Sequence, residues 1–110
     1  MARANGLDRV LAALADPNRR RVVDILRVGP RRAGALAAAA RLSPAAMSRH
    51  LKTLRRSGLV TEDRDEFDSR VRIYKLRPGP MNELKDWLAE TEALWARQLA
   101  AFKAHVEKGG

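Results

Sequence analysis

The chain has 110 residues, enough for one small domain, and carries 22 Lys and Arg against 13 Asp and Glu, a formal charge of +9. It has no cysteine, which removes disulfides, thiolate metal sites and cysteine nucleophiles together and fits a reducing, cytoplasmic setting. No apolar run approaches the roughly 20 residues a membrane span needs, and the opening MARANGLDRV lacks the apolar stretch of a secretion signal.

The charge is segregated. Residues 1–60 hold 13 Lys or Arg and 3 Asp or Glu, whereas residues 61–110 hold 9 and 10. All the excess cation sits in the first part, and a polyanion partner is the direct reading. An arginine-rich proteome would raise the net charge without segregating it.

In chain order, Leu7, Val10, Leu11 and Leu14 recur at helical spacing and predict a helix over residues 5–15. Asp16-Pro17 reads as a cap followed by a first-turn proline, so a second helix starts near Pro17, with Val22, Ile25 and Leu26 inward. Gly29-Pro30 stops it. Residues 32–40, RAGALAAAA, suit a short third helix anchored by Leu36, and Arg41-Leu42 make the turn after it.

Residues 42–60, LSPAAMSRHLKTLRRSGLV, say most. Ser43 can cap a helix N-terminus and Pro44 suits its first position. Met47, Leu51 and Leu54 form one apolar stripe, and Gly58 is placed to end the helix in a left-handed conformation. The other face carries Ala45, Ser48, Arg49, Lys52, Thr53 and Arg56, with no carboxylate. A helix with one buried side and small polar and basic groups toward its N-terminal end is what the DNA major groove accepts.

After Gly58 the period changes. Residues 59–61 and 71–76 suit strands, with the polar EDRDEFDSR as a hairpin tip between them. Pro78-Gly79-Pro80 punctuates the chain, and a long helix is predicted over about residues 81–106. Leu84, Trp87, Leu88, Thr91, Leu94, Trp95, Gln98, Leu99, Phe102 and Val106 keep 3-and-4 spacing along it. So small a domain has too little core to cover such a stripe, which implies that a second copy of the chain covers much of it. Lys108-Gly109-Gly110 reads as a frayed tail.

The predicted fold is mainly α with a small β-hairpin: five helices in the order helix, helix, helix, helix, hairpin, helix. Helices three and four, about residues 32–57, make a helix-turn-helix, and the strands at about 59–76 make a wing. This is a single winged helix domain over residues 1–110.

Three stretches, LADPNRRRVVDIL (14–26), LSPAAMSRHLKTLRRSGLV (42–60) and RIYKL (72–76), resemble the ArsR family of bacterial transcriptional repressors. The final LKDWLAETEALWARQL is similar to the branch of that family without metal sites. The resemblance implies a homodimer joined through its first and last helices, binding to a roughly palindromic operator in double-stranded DNA, and repression. It leaves open a small-molecule effector. Metal-sensing relatives carry a cysteine motif on the third helix; here that helix is alanine, glycine and leucine, so a thiolate sensor is excluded. His105 on the last helix, with Asp86, Glu90 and Glu107 scattered around it, does not make a metal site either. No metal and no cofactor are expected.

The DNA-facing set on this reading is Ser43, Pro44, Ala45, Ser48, Arg49, His50, Lys52, Thr53, Arg70 and Arg72. Arg49 is the first choice for a base reader, since arginine forks onto guanine with two hydrogen bonds. Ser43 and Ser48 can contact phosphate or base, though Ser43 serves equally as a cap. Ala45 can touch a thymine methyl or simply allow close approach. His50 either hydrogen-bonds a phosphate or packs in the turn. Thr53 falls near the backbone, and Arg70 and Arg72 alternate on a wing strand toward minor groove or phosphate. Arg19, Arg20 and Arg21 offer phosphate contact, pairing with Asp16 or Asp24, or solubility; Arg31 and Arg32 offer phosphate contact before the third helix. Asp65, Glu66 and Asp68 place negative charge on the wing tip. Either the tip tilts from DNA, or Arg64, Arg70 and Arg72 make the contact, or the acids pair within the protein. The dimer set is Leu7, Leu11, Leu84, Trp87, Leu88, Thr91, Leu94, Trp95, Leu99 and Phe102.

An enzyme would need a constellation the sequence lacks: there is no glycine-rich phosphate loop, and the paired carboxylates lie in the hairpin tip. The remaining alternative is a winged helix used for protein or RNA contacts without operator binding.

Overall fold

The computed structural model describes residues 2–109, with side chains described from Gly6 onward. Its elements are α1 (Ala2–Leu14), α2 (Pro17–Val28), β1 (Arg31–Arg32), α3 (Ala33–Ala40), α4 (Pro44–Arg56), β2 (Val60–Arg64), β3 (Arg72–Leu76) and α5 (Pro78–Gly109). The five helices and the hairpin stand in the expected order. The addition is β1, which pairs antiparallel with β3, Arg31 opposite Tyr74 and Arg32 opposite Ile73, giving the sheet order β1-β3-β2. A two-residue pairing has no alternation for a sequence reading to detect.

Polar side chains set each junction. Asp16 caps α2, its Oδ1 accepting from the Asn18 and Arg19 backbone N–H groups at 2.7 and 3.2 Å. Burial acts to raise its pKa, but those N–H bonds and the Arg19 guanidinium hold the carboxyl below the usual value. Arg19 donates to the Ala13 and Ala12 carbonyls and Arg20 to those of Leu14 and Ala15. Carbonyls at the end of α1 and just after it, where helical N–H donors run out, thereby gain side-chain donors. Arg21 does the same for Ala40 at the end of α3.

The α3–α4 turn is built on Arg41, the one residue besides glycine with positive φ among those described (φ 57°, ψ 45°). Its N–H donates to the Ala38 carbonyl at 3.2 Å, and Leu42 N–H to that of Ala37 at 2.9 Å. This is the two-bond arrangement that commonly ends helices on glycine. Leu42 folds back onto the core. Ser43 then caps α4, its Oγ accepting from Ala46 N–H at 3.1 Å. At the other end of α4, Gly58 takes φ 83°, the left-handed exit expected of it.

The core gathers one stripe from each of α1, α2, α3 and α4. Val10 and Ala13, Val22 and Leu26, Leu36 and Ala40, and Met47, Leu51 and Leu54 meet Leu59, Val60 and Tyr74 from the wing base. Burying each valine, leucine or methionine among them contributes about 1.5–3 kcal/mol.

Strand β2 runs further than expected, taking Glu62, Asp63 and Arg64 from the anticipated tip and pairing them with Tyr74, Ile73 and Arg72. Cross-strand ion pairs explain this: Glu62 meets Arg72, and Asp63 meets Lys75 at 2.7 Å. They offset the poor strand preference of acidic residues. Helix α5 likewise begins at Pro78, before the expected start near Met81. Pro78 and Pro80 fall in the first turn, where a missing N–H costs no helical bond. Lys108 and Gly109 continue the helix, and Gly110 lies outside the described residues.

Near its start α5 lies against α1, so closely that a Cβ on Gly6 would stand 2.9 Å from Glu83 Oε2. Met81 and Leu84 close the core. Beyond them α5 runs free. The radius of gyration is 19.0 Å, against about 13 Å for a compact chain of this length.

A left-handed arginine costs about 1–2 kcal/mol, part of which glycine's greater unfolded-state freedom offsets. Arg41→Gly is therefore expected to stabilise the protein by about 0.5–1 kcal/mol, raising the thermal midpoint by a few degrees at matched protein concentration. A lowered midpoint would show that the arginine side chain makes a stabilising contact that outweighs the strain.

Candidate nucleic-acid interface

With Met47, Leu51 and Leu54 buried, the opposite face of α4 stands in solvent. Ala45, Arg49, Lys52 and Arg56 run down its centre at helical spacing, all exposed. No hydrogen bond or ion pair among the described residues engages the side chains of Arg49, Lys52 or Arg56. Arg56 extends the predicted set, and its position four residues after Lys52 is the sequence signal for it. Ser43, Pro44 and Ser48 are exposed along one flank. Ser43 is committed to its cap, while Ser48 borders a small apolar recess shared with α3 and Tyr74. Thr53 lies on the other flank, its hydroxyl donating to the Arg49 carbonyl at 3.3 Å. His50 is half-buried at the side of α4, near Asp16.

The structure sorts the arginines into those with partners and those without. Arg19, Arg20 and Arg21 are occupied by helix-end carbonyls. Arg32 meets Asp65 at 3.2 Å, and Arg70 meets Asp68 at 3.2 Å. Arg72 is held by Glu62, which also forms an ion pair with Arg55 at 2.8 Å and accepts from the Tyr74 hydroxyl at 3.3 Å. Burial, then the Glu62 carboxylate, pushes the Tyr74 phenol up. Arg31, Arg41 and Arg64 are exposed and unpaired among the described residues. The acids of the wing tip are thus largely neutralised from within, the third of the arrangements open in the sequence. The pairing could not be read from spacing, because Arg32 and Asp65 lie 33 residues apart.

The predicted dimer set divides along α5. Leu7 and Leu84 are half-buried, Leu84 against the core, and Leu11 is exposed beside them on α1. Trp87, Leu88, Leu94, Trp95, Leu99 and Phe102 form an uncovered stripe, Trp95 at 63% and Phe102 at 66% exposure. Thr91 is exposed on the same helix, its hydroxyl donating to the Trp87 carbonyl at 2.7 Å. Among the described residues no group of three His, Asp or Glu is placed to hold a metal, and no helix is long and apolar enough to cross a membrane.

A helix-turn-helix domain family matches residues 14–63, the span from the end of α1 into β2. The chain is similar to the HTH-type transcriptional regulator Rv2034 of Mycobacterium tuberculosis, 33% identical over 103 residues, 94% of this chain and 91% of the relative. Among solved structures it is similar to an ArsR-like transcriptional regulator from Rhodococcus sp. RHA1, at 29% identity and TM-score 0.78, covering 94% of each chain. It is also similar to the homodimeric winged helix-turn-helix DNA-binding domain of Mb0332 from Mycobacterium bovis, at 25% identity and TM-score 0.66, covering 84% of this chain and 85% of that one. Fold, basic helix and relatives together define the class: a DNA-binding transcriptional regulator with a winged helix-turn-helix, not an enzyme. Within that class the chain belongs to the ArsR family.

The wing tip carries a pH dependence. Asp65 accepts from the Phe67 and Asp68 N–H groups at 2.7 and 3.3 Å. The Phe67 N–H, opposed by some burial and aided by Arg32, holds its carboxyl below the usual value; Arg70 does the same for Asp68. A depressed folded-state pKa gives stabilisation that is complete above the ordinary aspartate value of about 3.9 and is lost as pH falls through the depressed value. Amide exchange at Phe67 and Asp68 is therefore expected to stay constant from neutral pH to about 5, after correction for intrinsic rates, and to rise only below about 4. Loss of protection near pH 6 would contradict this assignment.

Proposed function

We propose that residues 1–110 act as one unit, a cytoplasmic homodimeric repressor that reads a roughly palindromic operator with α4. The observation that carries this reading is the uncovered stripe Ala45, Arg49, Lys52 and Arg56, whose three cations have no partner among the described residues. A cation on a helix face is ordinarily just solvated. Here the fold holds that face outward beside a wing, in the arrangement by which such helices enter a major groove. The DNA-facing set is Ser43, Pro44, Ala45, Ser48, Arg49, His50, Lys52 and Thr53, with Arg70 and Arg72 on the wing.

Pairing through α1 and α5 is supported by the bare apolar stripe and by the homodimeric neighbour from M. bovis. Two copies of α4 would then stand about one DNA turn apart, roughly 34 Å, and enter successive major grooves. A dimer seated there obstructs polymerase. A small-molecule effector would act only by binding one dimer geometry more tightly than another.

Selection of bound duplexes from random DNA by the purified protein should return an inverted repeat; recovery of unrelated sequences with no common motif would defeat the operator reading. Arg49→Ala is expected to cost about 1–3 kcal/mol on the selected duplex and to relax preference at one base position per half-site. Competition binding reads both, and unchanged selectivity would remove Arg49 as a base reader. Leu94→Glu combined with Leu99→Glu, both exposed in the single chain, should leave a folded monomer by light scattering that no longer retains the duplex. A variant that stayed fully dimeric would move the interface elsewhere.

A further inference from the structure

The C-terminal half of α4 and the base of the wing enclose a second feature. A cleft of about 450 Å³ opens between them, lined by Lys52, Arg55, Arg56, Thr61, Glu62 and Arg77 with Val60 at its floor. Four cations face one carboxylate. Lys52, Arg56 and Arg77 are exposed and unpartnered among the described residues. Arg77 comes from outside the helix-turn-helix, at the joint between β3 and α5, where its N–H is pinned to the Leu59 carbonyl at 2.8 Å. Three separate segments therefore bring positive charge to one concavity.

Glu62 explains how the cleft is organised. Its side chain is only 10% exposed and holds Arg55 at 2.8 Å. A guanidinium has five N–H donors in a rigid fork, so an ion pair through one terminal nitrogen, Nη1 to Oε2, restrains the side chain and leaves further donors without a partner among the described residues. Ordering that side chain in advance lowers the entropy lost when an anion arrives. The Thr61 hydroxyl adds a neutral donor. The net excess of three positive charges, with forked donors and a hydroxyl, matches a phosphate group. A carboxylic acid ligand would lack the tetrahedral oxygens to use all three walls.

We propose that this cleft seats a phosphate group, and that in the DNA complex this is a phosphodiester of the duplex backbone beside the groove that α4 enters. The inference rests on the DNA-reading assignment of α4 and extends it. It assigns Arg55 and Arg77 a role in holding the backbone that neither the α4 face nor the wing tip supplies. Phosphate contacts position a protein without reading sequence, so the cleft sets affinity and register while Arg49 sets preference.

The test is Arg77→Gln, a substitution on an exposed side chain away from the reading face. Operator and random duplex should both bind about tenfold more weakly, the loss of a charge-assisted contact. The slope of log K against log salt should become shallower by about 0.9 for each copy bound. Arg77→Lys should keep most of that slope, and Arg55→Gln should reproduce the loss. Unchanged affinity and slope in both glutamine variants overturns the proposal, and so does a loss confined to the operator. Titration of the protein alone with inorganic phosphate, read from the Thr61 and Arg77 amide resonances, separates the sources. Saturable shifts that vanish in Arg77→Gln, together with the weakened duplex binding, support a phosphate seat used by DNA. The same shifts with duplex binding intact would give the cleft to a free phosphate ester and overturn the duplex assignment. Wild-type protein that bound no duplex at any salt would instead sink the DNA reading beneath it.

Discussion

Everything the reading face can do depends on the rotation of α4 about its own axis. Met47, Leu51 and Leu54 set that rotation. All three are buried, and each contributes about 1.5–3 kcal/mol by leaving water. Turning the helix by one residue, about 100°, would expose them and carry lysine and arginine side chains toward the core, where unpaired charge is costly. The tilt of α4 is set separately, by the turn that ends α3. Arg41 accepts a strained backbone so that Leu42 can drop into the core and Ser43 can cap the next helix. Apolar burial and turn geometry thus determine an orientation whose use is electrostatic.

The positive charge of the first 60 residues is not one undifferentiated field. Part of it is structural. Arg19 and Arg20 close the end of α1, Arg21 ties α2 to the end of α3, and Arg32 anchors the wing tip through Asp65. These side chains fix the relative placement of helices and hairpin. The unpartnered remainder among the described residues, Arg9, Arg31, Arg41, Arg49, Lys52 and Arg56, is largely concentrated on α4 and the turn before it. Glu62 connects the two populations, since it is held by Arg55 from α4 and by Arg72 and Tyr74 from β3. Through this one carboxylate α4 is tied to the wing strand β3.

What could be read from the sequence follows from the range of each interaction. Helix periodicity, the Asp16 and Ser43 caps and the Gly58 exit are settled within about four residues along the chain, and all are visible there. The strand β1 is not, because its two residues become a strand only when β3 arrives from some forty positions away. The same holds for the end of β2, where Glu62 and Asp63 look like loop residues until β3 brings Arg72 and Lys75 into diagonal ion-pair reach. Among the candidate contacts, the α4 face was legible because one helix generates it. The carbonyl-capping work of Arg19, Arg20 and Arg21 was not: Arg19 and Arg20 sit within a few residues of the α1 end they serve, Arg21 reaches the end of α3 nineteen positions on, and a run of arginines carries no mark of which partner each finds.

The free length of α5 sets the remaining constraint. The chain exposes 8037 Å², whereas a folded monomer of 12.3 kDa is expected to expose about 6,100 Å². The excess is more than the roughly 800 Å² that each partner buries in a standard interface. It lies where Leu94, Trp95, Leu99 and Phe102 face solvent on a helix with no core of its own. Under the proposed pairing that stripe is covered, and the consequence reaches α4. Gly6 brings α1 into close approach with α5, and Met81 and Leu84 root α5 in the same core that buries Met47 and Leu54. A change in the angle at which two copies of α5 cross would be carried through that shared core to the separation of the two reading faces. Stability of the dimer and fit to DNA are therefore not independent in this fold. Under the proposed pairing, the apolar stripe that joins the copies would also set the distance between the grooves they enter.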